Sequence, residues 1–278
     1  MNSFRYVEKE NLLDFGHTYS AKPVNFDVHF HSRYELFYFL SGDVTYYIEG
    51  QAYKIQPHDM LMINTRELHR PVFESVKPYE RMVIHFRADY VSPFQNYDYD
   101  LLACFDKRKL GYFNKIDAAL VLENKIDYYF NLLEKHSISD LPEKDIMFKT
   151  YFIQLLIALN KIFTETSEHY NNPYGNDKKV MSIVDYINLH LHEKITLDRL
   201  EQEFFVNKYY LCHIFKRHTG FAVMEFITYK RIMAAKEFLA AGVSVMDACH
   251  SVGFSDYSNF YKTFKKLTGS SPKNFSKK

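Results

Sequence analysis

The sequence of 278 residues has no tryptophan, only three cysteines and no long apolar run. Cys104, Cys212 and Cys249 are odd in number and widely spaced, which argues against a disulfide framework or a CxxC metal site and favours reduced cysteines in a reducing cytosol. No stretch approaches the ~18 uninterrupted apolar residues of a membrane helix, and no signal sequence opens the chain. We therefore expect a cytoplasmic protein that does not contact a membrane.

The chain also has almost no net charge, +1 at pH 7, but the two signs are unevenly distributed. Residues 178–278 contain 16 Lys and Arg against 9 Asp and Glu, whereas residues 1–177 contain 19 against 25. Only the C-terminal part is therefore expected to bind a polyanion, with an affinity that falls steeply as salt rises. The length suits two domains, which we place at residues 1–167 and 178–278.

The last third of the chain contains an internal repeat with an offset of 49 residues. Residues 211–220 (LCHIFKRHTG) align with residues 260–269 (FYKTFKKLTG). Each copy has an apolar pair four residues apart, a basic pair and a Thr-Gly stop, which predicts a helix with one buried and one basic side. Asn207 and Asp256 are placed to cap the two helices.

A short amphipathic helix is predicted before each copy of the repeat, and Thr196 is placed to cap the first one. A short helix, a tight turn and a second helix form a helix-turn-helix, so we predict two such units, at residues 196–217 and 244–267. Residues 222–241 predict a connector helix roughly 30 Å long. That length could hold two recognition helices about one DNA turn, ~34 Å, apart.

The run of residues 252–272 (VGFSDYSNFYKTFKKLTGSSP) closely resembles the signature of the AraC/XylS family of bacterial transcription regulators. Glu201 departs from it, because the family usually has a small residue there. The resemblance implies a sequence-specific regulator of transcription with no enzymatic activity. It implies an activator of a carbohydrate or related metabolite operon that acts on double-stranded promoter DNA with RNA polymerase.

Outward-facing positions on the two predicted recognition helices are the candidate DNA contacts. The resemblance implies that such positions read base edges, and we predict base contacts from Tyr209, Cys212, His213, Tyr257, Ser258, Tyr261 and Lys262. Basic residues that are more suited to phosphate are Lys208, Lys216, Arg217, Lys265 and Lys266. A solvated surface role is the alternative for each. The first helix has few strong hydrogen-bonding groups, so its half-site is predicted to be the less sharply defined.

The N-terminal part has a different pattern. Residues 1–20 show no strong period and are predicted to be a flexible arm, whereas residues 25–86 form short β-rich segments at roughly 8–12-residue spacing, typical of a sandwich or small barrel. Helices are predicted at residues 115–136 and 144–164. The second has a broad apolar stripe, so we predict a homodimer contact there, with burial in its own domain as the alternative. Residues 168–177 are predicted to be the linker.

A histidine-rich motif lies at the start of the β-rich region. His29-x-His31-x-x-x-Glu35, followed by Gly42, resembles the first signature of the cupin barrel, and His69 stands where the second signature has its histidine. On a strand the first three share one face. We therefore predict an α+β protein, with an N-terminal cupin-like β-barrel carrying appended helices and a C-terminal all-α domain of two helix-turn-helix units joined by a connector helix.

Three roles remain open for these polar residues: a transition-metal site, the lining of an effector pocket, or buried hydrogen-bonded histidines. Residues 64–69 (NTRELH) depart from the second cupin signature, so we assign no metal and no cofactor. We favour a pocket for a small-molecule effector such as a sugar, lined by His29, His31, Arg33, Glu35, Tyr46, His69, Arg81 and His85. The alternative functions are a metal-dependent cupin enzyme and a constitutive DNA-binding protein with a vestigial sensor.

Overall fold

The computed structural model describes residues 3–8, 10–23, 33–166 and 178–276. The chain divides into two compact units, Met1–Glu49 with Tyr53–Tyr174 and Gly175–Lys278 with Gly50–Ala52. The first unit contains the sheets and the second is helical, so the prediction of an α+β protein is confirmed.

Two antiparallel sheets form the framework of the N-terminal unit. One has six strands in the order β1-β2-β8-β3-β6-β9, and the other has three in the order β5-β4-β7. The strands in the described residues are β1 (Phe4–Val7), β2 (Leu13–Ser20), β3 (Tyr34–Ser41), β4 (Val44–Ile48), β5 (Gln51–Lys54), β6 (Met60–Ile63), β7 (His69–Phe73), β8 (Tyr79–Phe86) and β9 (Lys115–Ile116).

The first two strands overturn one expectation. Residues 1–20 were predicted to be a flexible arm, but β1 pairs with β2, and β2 pairs along its whole length with β8, from Leu13 opposite Phe86 to Ser20 opposite Tyr79. β8 lies more than 50 residues after β2 in the sequence, so no local sequence pattern predicts that the two strands pair. β2 does alternate, burying Leu13 and Phe15 on one face.

The six-stranded sheet has a core on each of its faces, because successive side chains of a strand point in opposite directions. In β3, Leu36 and Tyr38 join a core shared with helices, while Phe37 and Phe39 join a core shared with β4. Val83 of β8 packs on this second core. Side chains with the parity of Phe37 and Val83 therefore point away from the helices, which places Glu35, Arg81 and His85 on that face.

The helices of the N-terminal unit cover the opposite face of the large sheet. Residues 115–136 were predicted to be one helix, but the chain forms β9 first and then breaks at Lys125, whose positive φ of 55° is incompatible with a continuous helix. The helices in the described part of this unit are α1 (Ala88–Val91), α2 (Ala103–Asp106), α3 (Ala118–Glu123), α4 (Ile126–Ser137) and α5 (Lys144–Thr166).

The apolar stripe of α5 packs within its own unit. Phe148, Phe152, Leu155 and Leu159 are fully buried in the core shared with the sheet. The stripe therefore supplies no argument for a second protomer, contrary to the expectation. By length and composition α5 could cross a membrane, with a mean hydropathy of 1.4, but core helices meet the same criterion.

Six α-helices and a short 3-10 helix at Pro272–Asn274 form the described part of the helical C-terminal unit. Thr196, Asn207 and Asp256 each cap a helix through the side chain, accepting from the backbone N–H groups of Arg199, Tyr209 and Asn259. The helices are α6 (Lys178–Leu189), α7 (Leu197–Phe204), α8 (Lys208–Thr219), α9 (Val223–Ala240), α10 (Val245–Ser251) and α11 (Tyr257–Thr268). The pairs α7–α8 and α10–α11 are the two helix-turn-helix units, and the connector α9 contacts helices of both.

Candidate effector pocket and DNA-binding surface

Two cavities open on the helix-distant face of the large sheet. Their volumes are about 380 and 210 Å³, and they share Arg81, Val83 and His85 of β8. The larger cavity is also lined by residues of β1, β2 and the approach to β3: Phe4, Arg5, Asp14, Gly16, Thr18 and Arg33. The smaller cavity is completed by Glu35, Tyr46, Pro71 and Tyr79.

A line of charged groups runs along one end of these cavities. The Glu35 carboxylate lies 3.2 Å from Nε2 of His85 and 3.3 Å from Nε2 of His69. Nδ1 of His85 lies 3.4 Å from a carboxylate oxygen of Asp14, and Nδ1 of His69 lies 3.0 Å from the carbonyl oxygen of Glu67. The order Asp14–His85–Glu35–His69 alternates acids and imidazoles, so each imidazole lies beside at least one carboxylate.

This arrangement raises the pKa of both imidazoles. Burial lowers the pKa of His85, but its hydrogen bonds to Asp14 and Glu35 outweigh burial and raise the pKa to about 9. At neutral pH His85 is therefore an imidazolium, and both of its N–H groups donate. Burial also lowers the pKa of His69, and the Glu35 carboxylate again reverses the effect, so that the pKa is raised.

Three cationic side chains lie next to the Asp14 carboxylate: Arg5, Arg33 and His85. Burial raises its pKa, but the hydrogen bonds and charges of His85 and Arg5 prevail and lower it. Arg5 and Arg33 each donate to one Asp14 oxygen at 3.1 Å. Arg33 donates as well to the backbone carbonyl of Asn11 at 2.7 Å. Asp14 and Arg5 were not predicted as pocket residues, because their strands were taken for a flexible arm.

Six of the eight predicted pocket residues come together in this region. Five of them line a cavity and His69 lies directly behind Glu35; the six are Arg33, Glu35, Tyr46, His69, Arg81 and His85. His29 and His31 lie outside the described residues. Within the described ranges no group of three or more His, Cys, Asp or Glu side chains is placed to hold a metal ion.

The two predicted recognition helices bury equivalent positions of the repeat. Leu211 and Phe215 of α8 and Phe260 and Phe264 of α11 have no exposed surface. The predicted base-contacting residues lie on the other side and are exposed except for Cys212, which is half-buried. Tyr209 is the most exposed of the tyrosines among them, at 77%.

Most of the predicted phosphate-contacting residues are also exposed, namely Lys216, Arg217, Lys265 and Lys266. Lys208 differs, because its ammonium group lies 2.7 Å from a carboxylate oxygen of Asp198 on α7. An exposed ion pair of this kind is weak and can exchange for a phosphate.

Two family models match the chain, an AraC-like ligand binding domain over residues 15–96 and a helix-turn-helix domain over residues 200–278. Together they span more than half of the sequence, and each falls on the unit whose geometry suits it. The chain belongs to the AraC family of transcription regulators. Its C-terminal unit carries the helix-turn-helix domain, over residues 200–278.

Relatives of this chain are described as HTH-type transcriptional regulators. An uncharacterised HTH-type transcriptional regulator of Staphylococcus aureus is 26% identical over 276 residues, which are 97% of this chain but 33% of the relative. The chain thus spans about a third of the length of that relative. An uncharacterised HTH-type regulator of Bacillus subtilis is 25% identical and is covered to 81%, by 84% of this chain.

Solved structures also resemble the regulator. ToxT of Vibrio cholerae is 15% identical, with 94% of this chain and 96% of that chain covered and a TM-score of 0.38. A protein of unknown function from Listeria innocua is 28% identical, covers 34% of this chain and 92% of its own, and has a TM-score of 0.33.

Some residues that support the regulator's two surfaces have no signal in the sequence. Glu67, two residues before His69 in the sequence, is buried. Its carboxylate accepts two hydrogen bonds from Arg108, both at 2.7 Å. It also accepts hydrogen bonds from the side chain of Asn114 and from backbone N–H groups. Arg108 comes from a segment that sequence patterns left irregular. This buried ion pair holds the loop that leads into β7 and so positions His69.

Glu201 of the regulator also has a structural role that the family comparison did not suggest. Its carboxylate accepts the backbone N–H of Lys208 at 3.0 Å, at the first turn of α8. The N–H groups of a first helical turn have no partner within the helix, and a carboxylate there is favourable. Glu201 therefore ties α7 to the start of the recognition helix, and its departure from the usual small residue does not disturb the unit.

Proposed function

We propose that this AraC-type regulator binds a small molecule in the cavities beside Arg81 and His85 and that binding changes how α8 and α11 engage promoter DNA. The observation that carries the DNA-binding part of the proposal is the asymmetry of the two helices, and the cavities lined by Arg81 and His85 carry the effector part. The two helices are built alike, with matching buried pairs, but expose different side chains, so a single chain could read an asymmetric DNA site.

The proposed readout differs between the two half-sites. On α11, Lys262 could donate to guanine and Ser258 to several bases, whereas Tyr209 and Cys212 on α8 are suited to the methyl group of thymine. The base contacts of α11 are thus expected to discriminate more strongly. Lys216, Arg217, Lys265 and Lys266 are proposed to contact phosphates, which position the domain without reading sequence.

A binding selection from randomised DNA tests this proposal. The full chain should enrich a site with two unequal half-sites, and Lys262→Ala should reduce the information in the sharper one. Lys161→Ala, which removes an exposed lysine of α5, is the control. For a selected site, the logarithm of the affinity should fall linearly with the logarithm of the salt concentration. Two half-sites of equal information content, or an affinity that does not depend on salt concentration, would count against the proposed DNA contacts.

We propose further that the regulator is a homodimer that activates a carbohydrate or related metabolite operon together with RNA polymerase. Support for the dimer comes from exposed apolar side chains on α5 and on the segment before it: Ile138, Leu141, Ile146 and Ile157 are each between 44% and 68% exposed. Light scattering of the chain with and without Ile146→Glu tests it, because a charge in the interface should shift the mass toward the monomer.

A metal-dependent cupin enzyme makes a different prediction. It would hold a stoichiometric metal ion after purification, and His31→Ala would release that ion. Metal analysis of the two proteins separates this alternative from effector sensing.

A further inference from the structure

The larger cavity of the N-terminal unit carries an excess of positive charge. Arg5, Arg33, Arg81 and His85 line it, against one acid, Asp14. Asp14 is already engaged by three of the four cations, at 3.1, 3.1 and 3.4 Å. The acid therefore neutralises part of one end of the cavity and leaves the other end positive.

Arg81 forms that other end. No carboxylate of the described residues lies within ion-pair distance of its guanidinium. Its contacts there are the hydroxyl of Ser20, at 3.3 Å, and the ring of Tyr79, whose centroid lies 4.5 Å away. Both contacts orient the guanidinium without cancelling its charge, and Tyr79 is itself buried. An arginine remains charged at all accessible pH values, so the cavity presents a fixed cation with planar donor geometry.

Space for a ligand lies next to Arg81, on the floor of the cavity. In the register of β2 with β8, Thr18 is opposite Arg81 and Gly16 is opposite Val83. Gly16 has no side chain and Val83 is small, so neither residue fills the middle of the cavity. Thr18 places a hydroxyl group beside the guanidinium of Arg81. The volume of about 380 Å³ lies at the lower end of the range typical of small-molecule sites.

We propose that the effector is a small organic oxyanion, a carboxylate or a phosphate monoester, whose charged group binds Arg81 and whose polar body lies over Gly16 and Val83. This inference rests on the proposed function of effector sensing and narrows it to a chemical class. An oxyanion accepts two parallel N–H bonds from a guanidinium. A neutral sugar of the same size cannot neutralise Arg81, so acids are selected over their neutral analogues.

Thermal denaturation of the full chain with matched probes tests the proposal. D-galacturonate is compared with D-galactose, and D-glucose 6-phosphate with D-glucose, so that a carboxylate and a phosphate are each tested against the uncharged sugar. At least one acid should raise the Tm at millimolar concentration, and neither sugar should match it. No shift with either acid, or an equal shift with its neutral partner, overturns the proposal.

Two variants locate the site. Arg81→Gln should weaken binding of the acid roughly tenfold to a hundredfold, the range expected for loss of charge-assisted hydrogen bonds. Gly16→Val should also weaken it by filling the floor, and it should fold, because a Cβ at Gly16 would meet only the carbonyl oxygen of Phe4 at 3.5 Å and Oγ1 of Thr18 at 3.9 Å. Arg87→Gln is the matched control, since Arg87 is exposed and paired with Asp89. Equal affinity in the Arg81 and Arg87 variants also overturns the proposal.

The affinity for selected DNA, measured with and without each probe, distinguishes this inference from the proposed function. If an acid binds through Arg81 but DNA affinity does not change, the oxyanion site stands and effector-controlled DNA binding fails. If a neutral sugar alters DNA affinity while the acids do not bind, effector control stands and the oxyanion inference fails.

Discussion

The protonated imidazole of His85 should make the stability of the N-terminal unit depend on pH. It lies between Asp14 and Glu35, at 3.4 and 3.2 Å, with Arg33 on the far side of Asp14 and His69 on the far side of Glu35. The perturbation we consider is His85→Gln, which keeps a polar side chain of similar length but removes the charge.

The magnitude follows from the pKa. The pKa of His85 is about 9 in the folded chain, against an ordinary value of 6.5, and each unit is worth about 1.4 kcal/mol. Protonated His85 therefore stabilises the folded state by at most about 3.5 kcal/mol. This is an upper figure because 28% of the side chain is exposed, where solvent screens its charge.

The sign is set by the direction of the shift. Because the folded pKa is raised, the contribution is fully present below pH 6.5 and is lost as the pH rises from 6.5 to 9. The pKa of His69 is also raised, and the charge of His85 works against that rise, so His69 adds a loss in the same direction that His85→Gln leaves in place. The advantage of the parent chain over His85→Gln should thus be largest near pH 6 and shrink toward pH 9.

Urea denaturation of both proteins over this pH range, followed by circular dichroism, measures the difference, and an NMR titration of the imidazole gives the pKa directly. His192→Gln is the control, because its side chain is 63% exposed and its removal should change stability little. A difference that stays constant or grows with pH would refute the reasoning, as would a titration midpoint for His85 at or below 6.5.

Three other variants test the supports of the two surfaces. Glu67→Gln should destabilise the chain by about 3–5 kcal/mol in urea denaturation, because it leaves the buried Arg108 without a counter-ion; a loss below about 1 kcal/mol, the range of an exposed pair, would contradict the role given to this pair. Asn207→Ala should cost about 1 kcal/mol through loss of the cap on α8, and an unchanged Tm would show that the cap is dispensable. Phe205→Gly should raise the Tm while Gly253→Ala lowers it, although both residues occupy the left-handed position of a helix-turn-helix turn; the same direction of change in both would be inconsistent with the geometry.

The sequence predicted the helical unit well because its signals are local. The caps at Thr196, Asn207 and Asp256 and the buried pair of each recognition helix depend on residues within one or two turns. Periodicity and capping act over that distance, so a repeat in the sequence translates into a repeat in the structure. The reading surfaces could be located in the same way, since a side chain opposite a buried stripe faces outward.

The pocket was predicted only in part because it depends on pairing between distant strands. Glu35, Arg81 and His85 were predicted to line the pocket as polar residues of a small barrel, and they do line one cavity together. Asp14 and Arg5 belong to β1 and β2, whose place in the sheet is decided by contact with β8 more than 50 residues away. Residues brought together by strand register alone have no sequence signature, and half of the larger cavity is built from such residues.

The two helix-turn-helix turns show why the same backbone accepts different residues. Phe205 has a φ of 51° and its side chain is 93% exposed, so the strain of a bulky residue in the left-handed region is not offset by burial. Gly253 has a φ of 82°, and a Cβ there would lie 2.5 Å from the carbonyl oxygen of Leu191 and 2.8 Å from Nη2 of Arg231. Arg231 of the connector helix donates to that same carbonyl at 3.0 Å, so any side chain at Gly253 would break the contact between α9 and the turn that follows α6. Sterics therefore dictate glycine in the second turn only. In the first turn an exposed phenylalanine occupies the left-handed region without a steric reason, so its backbone strain should be relieved by glycine there.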